Sequence, residues 1–260
     1  GFSSGVKKLG SVAKTGLTVV GGAVAGVATA FGVMTKKALD SYASLEQNIG
    51  GVETLFKDSS QSVVDNAKKA YKTAGLSANA YMETVTSFSA SLLQSLGGDT
   101  KKAADYADRA IIDMSDNANK MGTSMELIQN AYQGFAKQNY TMLDNLKLGY
   151  GGTKEEMQRL VQDASKMTDV QKELGVTVDG SSLSFGNIVN AISVMQKHMG
   201  IAGTTSKEAS ETISGSISSM KGAFDNFLNG TGSPEELAEA MVTAGKNVIK
   251  GLSEIVPRLL

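Results

Sequence analysis

Ser77–Gly98 reads SANAYMETVTSFSASLLQSLGG, and its apolar residues Tyr81, Val85, Phe88, Leu92 and Leu96 recur at three-to-four spacing. That is the period of a helix with one buried face. Ser77 supplies an N-cap oxygen, and Gly97-Gly98 supplies the stop. Working downstream, Asp99 opens a helix to Met121 with Gly122 as its end. Thr123-xx-Glu126 opens another, with Met125, Ile128, Tyr132 and Phe135 on one side. Lys137–Tyr140 reads as irregular, Thr141–Leu148 as a short helical piece, and Gly149–Gly152 as a loop. Thr153-xx-Glu156 then caps a helix to about Lys166.

Residues 168–183 read as loop, since Asp179-Gly180 is a turn signal and one extended stretch at Val176–Val178 cannot make a sheet. Helices are predicted over Ser184–Met199, Thr205–Leu228 and Pro234–Val256. Ser233-Pro234-Glu235-Glu236 places cap, N1 proline and N3 glutamate together. Upstream, Asp58-xx-Gln61 predicts a helix ending at Ala74 before Gly75. Met34–Phe56 continues the pattern, with an interruption expected at Gly50-Gly51. No repeat of 20–50 residues is visible, and heptads are not sustained. The fold class expected is all-α: a multi-helix bundle or array preceded by a glycine-rich apolar helix. Three parts are expected: a basic-flanked apolar helix over 1–40, a helical core region over 41–166, and a second helical part over 167–260.

The front of the chain stands apart. Thr15–Thr35, TGLTVVGGAVAGVATAFGVMT, runs 21 residues without a charge, between Lys7, Lys8 and Lys14 on one side and Lys36 and Lys37 on the other. As a helix it would be about 31 Å long, close to the ~30 Å hydrocarbon core of a bilayer. The run is too long for the usual apolar region of a secretory signal peptide. Gly22 and Gly26 form a GxxxG, and Gly21, Ala25, Ala28 and Gly32 form a small-residue stripe of the kind that lets helix backbones approach closely in a membrane. The same stripe equally suits a glycine-rich helix packed against protein. Its glycines and threonines make insertion marginal, and lysines at both ends give no orientation.

Composition narrows the classes. The 260 residues carry a net charge of −1, whereas a nucleic-acid binder usually shows a basic excess. That balance hides an asymmetry, because residues 1–40 sum to +4 and the rest to −5. There is no cysteine, so no disulfide, thiolate nucleophile or cysteine-ligated zinc is available. Only Pro234 and Pro257 interrupt helix formation. The chain opens at Gly1 without methionine and stops just past Pro257, which reads as part of a longer polypeptide.

Three constellations could carry chemistry. His198, the sole histidine, sits at a predicted helix C-terminus, where a capping or surface role suffices; no second histidine or cysteine is spaced for a metal. Asp105, Asp108, Asp113 and Asp116 share one side of a helix and could gather a divalent cation. A solvated face offset by Lys101, Lys102 and Arg109 is the plainer reading. Gly149–Lys154, GYGGTK, has glycines before a helix start, as phosphate loops do. It lacks the GxxxxGK[ST] spacing and a preceding strand, so a helix-to-helix turn is expected. The 12 methionines read as adaptable core filling. No catalytic, cofactor or metal site is expected.

Tyr42-Ala-Ser-Leu-Glu-Gln-Asn-Ile-Gly-Gly-Val-Glu-Thr-Leu-Phe56 resembles the segment opening the core region of phage tail tape measure proteins. Ala70–Ser77 (AYKTAGLS), Ser87–Gly97 (SFSASLLQSLG), Asp113–Gly122 (DMSDNANKMG) and Asn130–Gly152 (NAYQGFAKQNYTMLDNLKLGYGG) continue that resemblance in order, and Gly200–Ala209 extends it. The resemblance implies a structural, non-enzymatic protein of the tail lumen that sets tail length and templates tail-tube assembly. It implies tail-tube protein, tail assembly chaperones and tail-tip proteins as partners, and self-association. It also implies assembly in the host cytoplasm and later ejection to help the genome across the host inner membrane. Sequence-specific nucleic-acid binding is not implied. The long heptad-rich rod usual in the family is not evident, so this chain would be one region of such a protein. A membrane-active, pore-forming helical effector, inserting Thr15–Thr35, is the competing reading.

Overall fold

The computed structural model describes residues 24–259, and among these there is no strand. The helices are α1 (Val24–Phe56), α2 (Ser60–Thr73), α3 (Ala78–Ser95), α4 (Thr100–Met121), α5 (Met125–Ala136), α6 (Lys154–Lys166), α7 (Thr168–Leu174), α8 (Phe185–His198), α9 (Thr204–Glu211), α10 (Ile213–Asn229) and α11 (Pro234–Leu259). The all-α class is therefore as expected. The leading glycine-rich helix is described only in part. Thr15–Ala23, with Gly21 and Gly22, lies outside the described residues, while Ala25, Gly26, Ala28 and Gly32 fall in the first turns of α1.

Local chemistry sets most of the boundaries. Ser77 accepts from the Ala80 amide at 3.3 Å and Asp99 from the Lys102 amide at 2.9 Å, opening α3 and α4. At α11 the capping box is complete: Ser233 accepts from the Glu236 amide at 3.1 Å, and the Glu236 carboxylate accepts from the Ser233 amide at 2.8 Å. Other boundaries move. α1 passes through Gly50-Gly51 without a break. Asp58 lies in a short 3-10 turn, Lys57–Ser59, and α2 starts with no side-chain cap. The cap of α5 is Ser124, which accepts from the Leu127 amide, while the Thr123 hydroxyl donates to the Asn145 carbonyl. Thr141–Leu148 contains only a 3-10 turn, Leu143–Leu146.

Two further departures matter for the site. The stretch expected as loop over 168–183 begins with α7, and buried Gln171 then pins the following segment. Its amide donates to the Ala164 and Ser165 carbonyls and its oxygen accepts from the Val178 amide. The single helix expected over Thr205–Leu228 is two, α9 and α10, turned at Thr212. Thr212 is extended and caps α10 by accepting from the Gly215 amide at 3.0 Å. A Cβ at Gly215 would stand 2.4 Å from the Glu208 carbonyl carbon, so the corner needs glycine there.

The main core runs from Leu45 to Ile201, and α4 and α8 lie near its middle. Tyr81, Tyr132, Phe56, Phe135, Met82, Met114 and Met157 are among its fully buried side chains, so several of the methionines do fill the core. Phe88 and Phe185 meet edge-on, with ring centroids 5.8 Å apart, joining α3 to α8. A smaller cluster of Tyr71, Ala223 and Ala240 seats α10 and α11 against α2. Asn226 locks that joint: its oxygen accepts from the Ala78 amide at 2.7 Å and its amide donates to the Lys68 carbonyl at 3.3 Å.

Candidate functional site: an acidic cleft along α4

Ala103, Ala104, Ala107, Ala110, Ile111 and Met114 put one face of α4 in the core. The neighbouring face lines a cleft of about 410 Å³ that holds all four aspartates of the sequence stripe, with Arg109, Asn66, Ser193 and Gly203 around them. The stripe is thus a shared site, but the solvated-face reading fails for half of it. Asp105 is exposed, whereas Asp113 and Asp116 are buried.

Half-buried Asp108 and the two buried carboxylates are each held by a different element. Asp108 accepts from the Tyr81 hydroxyl of α3 at 2.7 Å, and burial raises its pKa. Asp113 accepts from the Ser193 hydroxyl of α8, and burial pushes it up from 3.8 to about 7, with the charge of Asp116 adding to the rise. Asp116 accepts from the amides of Gly203 at 2.6 Å and Thr205 at 2.8 Å, so a side chain of α4 closes the N-terminus of α9. Burial raises Asp116, and those amide bonds oppose the rise.

Arg109 acts on Asp113 through its charge, which opposes the rise, but its hydrogen bond goes elsewhere. Its guanidinium donates to the Asn190 oxygen at 3.0 Å and lies 5.5 Å from the Tyr106 ring centre. The Asn190 amide in turn donates to the Tyr106 hydroxyl and to the Thr177 carbonyl, both at 3.0 Å. Burial in the cleft thus favours the protonated form of Asp113. Among the described residues no three His, Asp or Glu side chains stand together as a metal site. Deeper in, the Gln196 side-chain amide and the Tyr132 hydroxyl are buried without a protein partner. Tyr132 lies close enough to Asp113 to feel its charge.

The other sequence candidates separate cleanly. His198 is the exposed last residue of α8. The glycine loop before α6 is filled by the chain's own acid: the Gly151 amide donates to Glu156 at 3.0 Å. Arg159 binds the same carboxylate at 2.6 Å, its guanidinium 4.3 Å from the Tyr150 ring centre. The Arg159 bond, then the Gly151 amide, hold Glu156 down at about 2. A Cβ at Gly152 would stand 2.3 Å from the Thr141 carbonyl oxygen, so close backbone approach explains that glycine. Among the described residues, no helix is long and apolar enough to cross a membrane. Burial of Asp113 was legible in part, since it borders the alanine face; Asp116 is covered by α9, 87 residues away, which no local pattern announces.

Comparison of the chain with protein-family models, with curated proteins and with solved structures returns no match. Fold and cleft define an all-α helical module with an acidic groove.

Proposed function

We propose that this chain is a non-enzymatic structural region of a phage or prophage tail tape measure protein. In this reading it works in the tail lumen, sets tail length and templates tail-tube assembly with tail assembly chaperones and tail-tip proteins. It is later ejected to help the genome across the host inner membrane. The observation that carries the proposal is the ordered set of sequence blocks between Tyr42 and Gly152. Those blocks hold buried residues such as Tyr71, Phe88, Tyr132 and Phe135 beside exposed ones such as Tyr42 and Met142. The test is deletion of the reading frame followed by electron microscopy and mass spectrometry of purified particles. Absent or misassembled tails, with peptides of this chain in wild-type tails, support the role. Normal tails lacking those peptides overturn it.

A second reading, the membrane-active helical effector, is favoured by the uncharged run Thr15–Thr35 between lysines. It predicts leakage of liposomes by the purified chain, reduced by Gly22→Leu/Gly26→Leu. Leakage untouched by those changes removes the packing role of the stripe, and no leakage leaves the assembly role alone.

A further inference from the structure

A second cleft, of about 320 Å³, opens where α2, α9, α10 and α11 meet. Tyr71 lines it, and the Tyr71 hydroxyl is buried with no hydrogen-bond partner in the chain. Burial, and then the charge of Glu236, raise the pKa of that phenol, so it stays a neutral group able both to donate and to accept. An unpaired buried hydroxyl costs stability, and phenylalanine would fill the same space without that cost. The packing of α2 thus gives no reason for the oxygen.

The rest of the lining has the same character. Ser206 of α9 and Ser219 of α10 add hydroxyls that no other described residue engages. Ser216 donates to the Thr212 carbonyl at 2.6 Å and Thr243 to the Glu239 carbonyl at 3.0 Å, which leaves their lone pairs free to accept. Lys72, its Nζ 5.6 Å from the Tyr71 ring centre, pairs with Glu239 at 3.1 Å. That pair carries no net charge, yet it keeps spare N–H donors beside spare carboxylate lone pairs. An anion would meet the carboxylates of Glu236 and Glu239, and a cation would meet Lys72. An alcohol hydroxyl is uncharged and both donates and accepts, so it matches every group in the lining. We infer that this cleft binds a small neutral polyol of monosaccharide size. Tyr71, Ser206 and Ser219 bond its hydroxyls, and the Lys72–Glu239 pair holds two neighbouring ones. The inference goes beyond the tail role and does not rest on it, since it uses only the lining of the cleft.

The cleft lies at the small end of ligand pockets, and each ligand hydroxyl replaces a bound water, so the affinity is low, with Kd on the order of 1–10 mM. The test is chemical-shift mapping of the full chain titrated to about 50 mM with glucose, galactose and myo-inositol, and separately with inorganic phosphate. At least one polyol is expected to give saturable shifts at the amides of Tyr71, Ser206 and Ser219. Tyr71→Phe is expected to weaken that binding about ten-fold while thermal stability stays level or rises, because only an unpaired hydroxyl is removed. Ser219→Ala is expected to weaken it about three-fold. Absence of saturable shifts with all three polyols, or tighter binding of phosphate, would overturn the inference. So would a Tyr71→Phe chain that keeps its binding or loses stability.

Discussion

The body from Leu45 to Ile201 and the α10–α11 hairpin meet the same packing problem with different side chains. The body interlocks large ones, with Tyr81, Tyr132, Phe56 and Phe135 wholly buried. The hairpin buries small ones instead: Ser216, Ser219, Gly222 and Ala223 of α10, and Ala240 and Ala244 of α11. A Cβ at Gly222 would stand 2.9 Å from that of Tyr71, which shows how near α10 comes to α2. Small contacts remove little apolar area from water, at ~25 cal/mol per Å². The difference teaches that helical content and core strength are separate quantities. Both regions are mainly helical, yet the body buries many large apolar residues and the hairpin few, Leu228 among them.

Substitutions can break this contrast. Phe88→Ala removes an edge-on ring pair from the body and is expected to lower stability by about 3–5 kcal/mol in urea unfolding. Ile249→Ala, on the outer face of the hairpin, is expected to change it by no more than about 0.5 kcal/mol in dilute solution. Similar losses at both sites would dissolve the distinction.

Burial raises a carboxylate in each region, Asp225 in the hairpin and, more strongly, Asp113 in the body. Asp113 is ordinary when unfolded and titrates at about 7 when folded. Below about pH 4 both states are protonated and the group contributes nothing. As pH rises to about 7 the unfolded state loses its proton first, so stability falls, and above 7 the full penalty, roughly 4 kcal/mol as an upper bound, stands. Asp108 and Asp116, also raised by burial, act in the same direction. Asp113→Asn is expected to flatten the fall between pH 4 and 8, read from thermal unfolding. An unchanged slope would mean that Asp113 stays ionised in the fold. A smaller effect than at Phe88 or Asp113 is expected at the start of α11, where Ser233→Ala should cost about 1 kcal/mol through the lost cap.

Legibility in the sequence followed the range of the forces. Ser77, Asp99, Thr153 and Ser233 announce helix starts because a cap involves residues three apart, and each of these caps is present. The corner at Thr212 was missed because Thr-xx-Gly inside an apolar pattern looks like helix until Gly215 is seen against Glu208. α1 runs through Gly50-Gly51 because α3 packs along it, which overrides the low propensity of a glycine pair. The acidic stripe was visible as a pattern, but its burial depends on α8 and α9 arriving from 80 to 89 residues away.

Two of those long-range bonds make one element depend on another. α9 has eight residues, too few to persist as a helix alone in water. Its first amides are satisfied by Asp116, a residue of α4. The short helix therefore depends on α4 for its starting turn. The chain beyond Ile201 is in this way tied to the body, so loss of the Asp116 carboxylate is expected to free α9 before it disturbs the core.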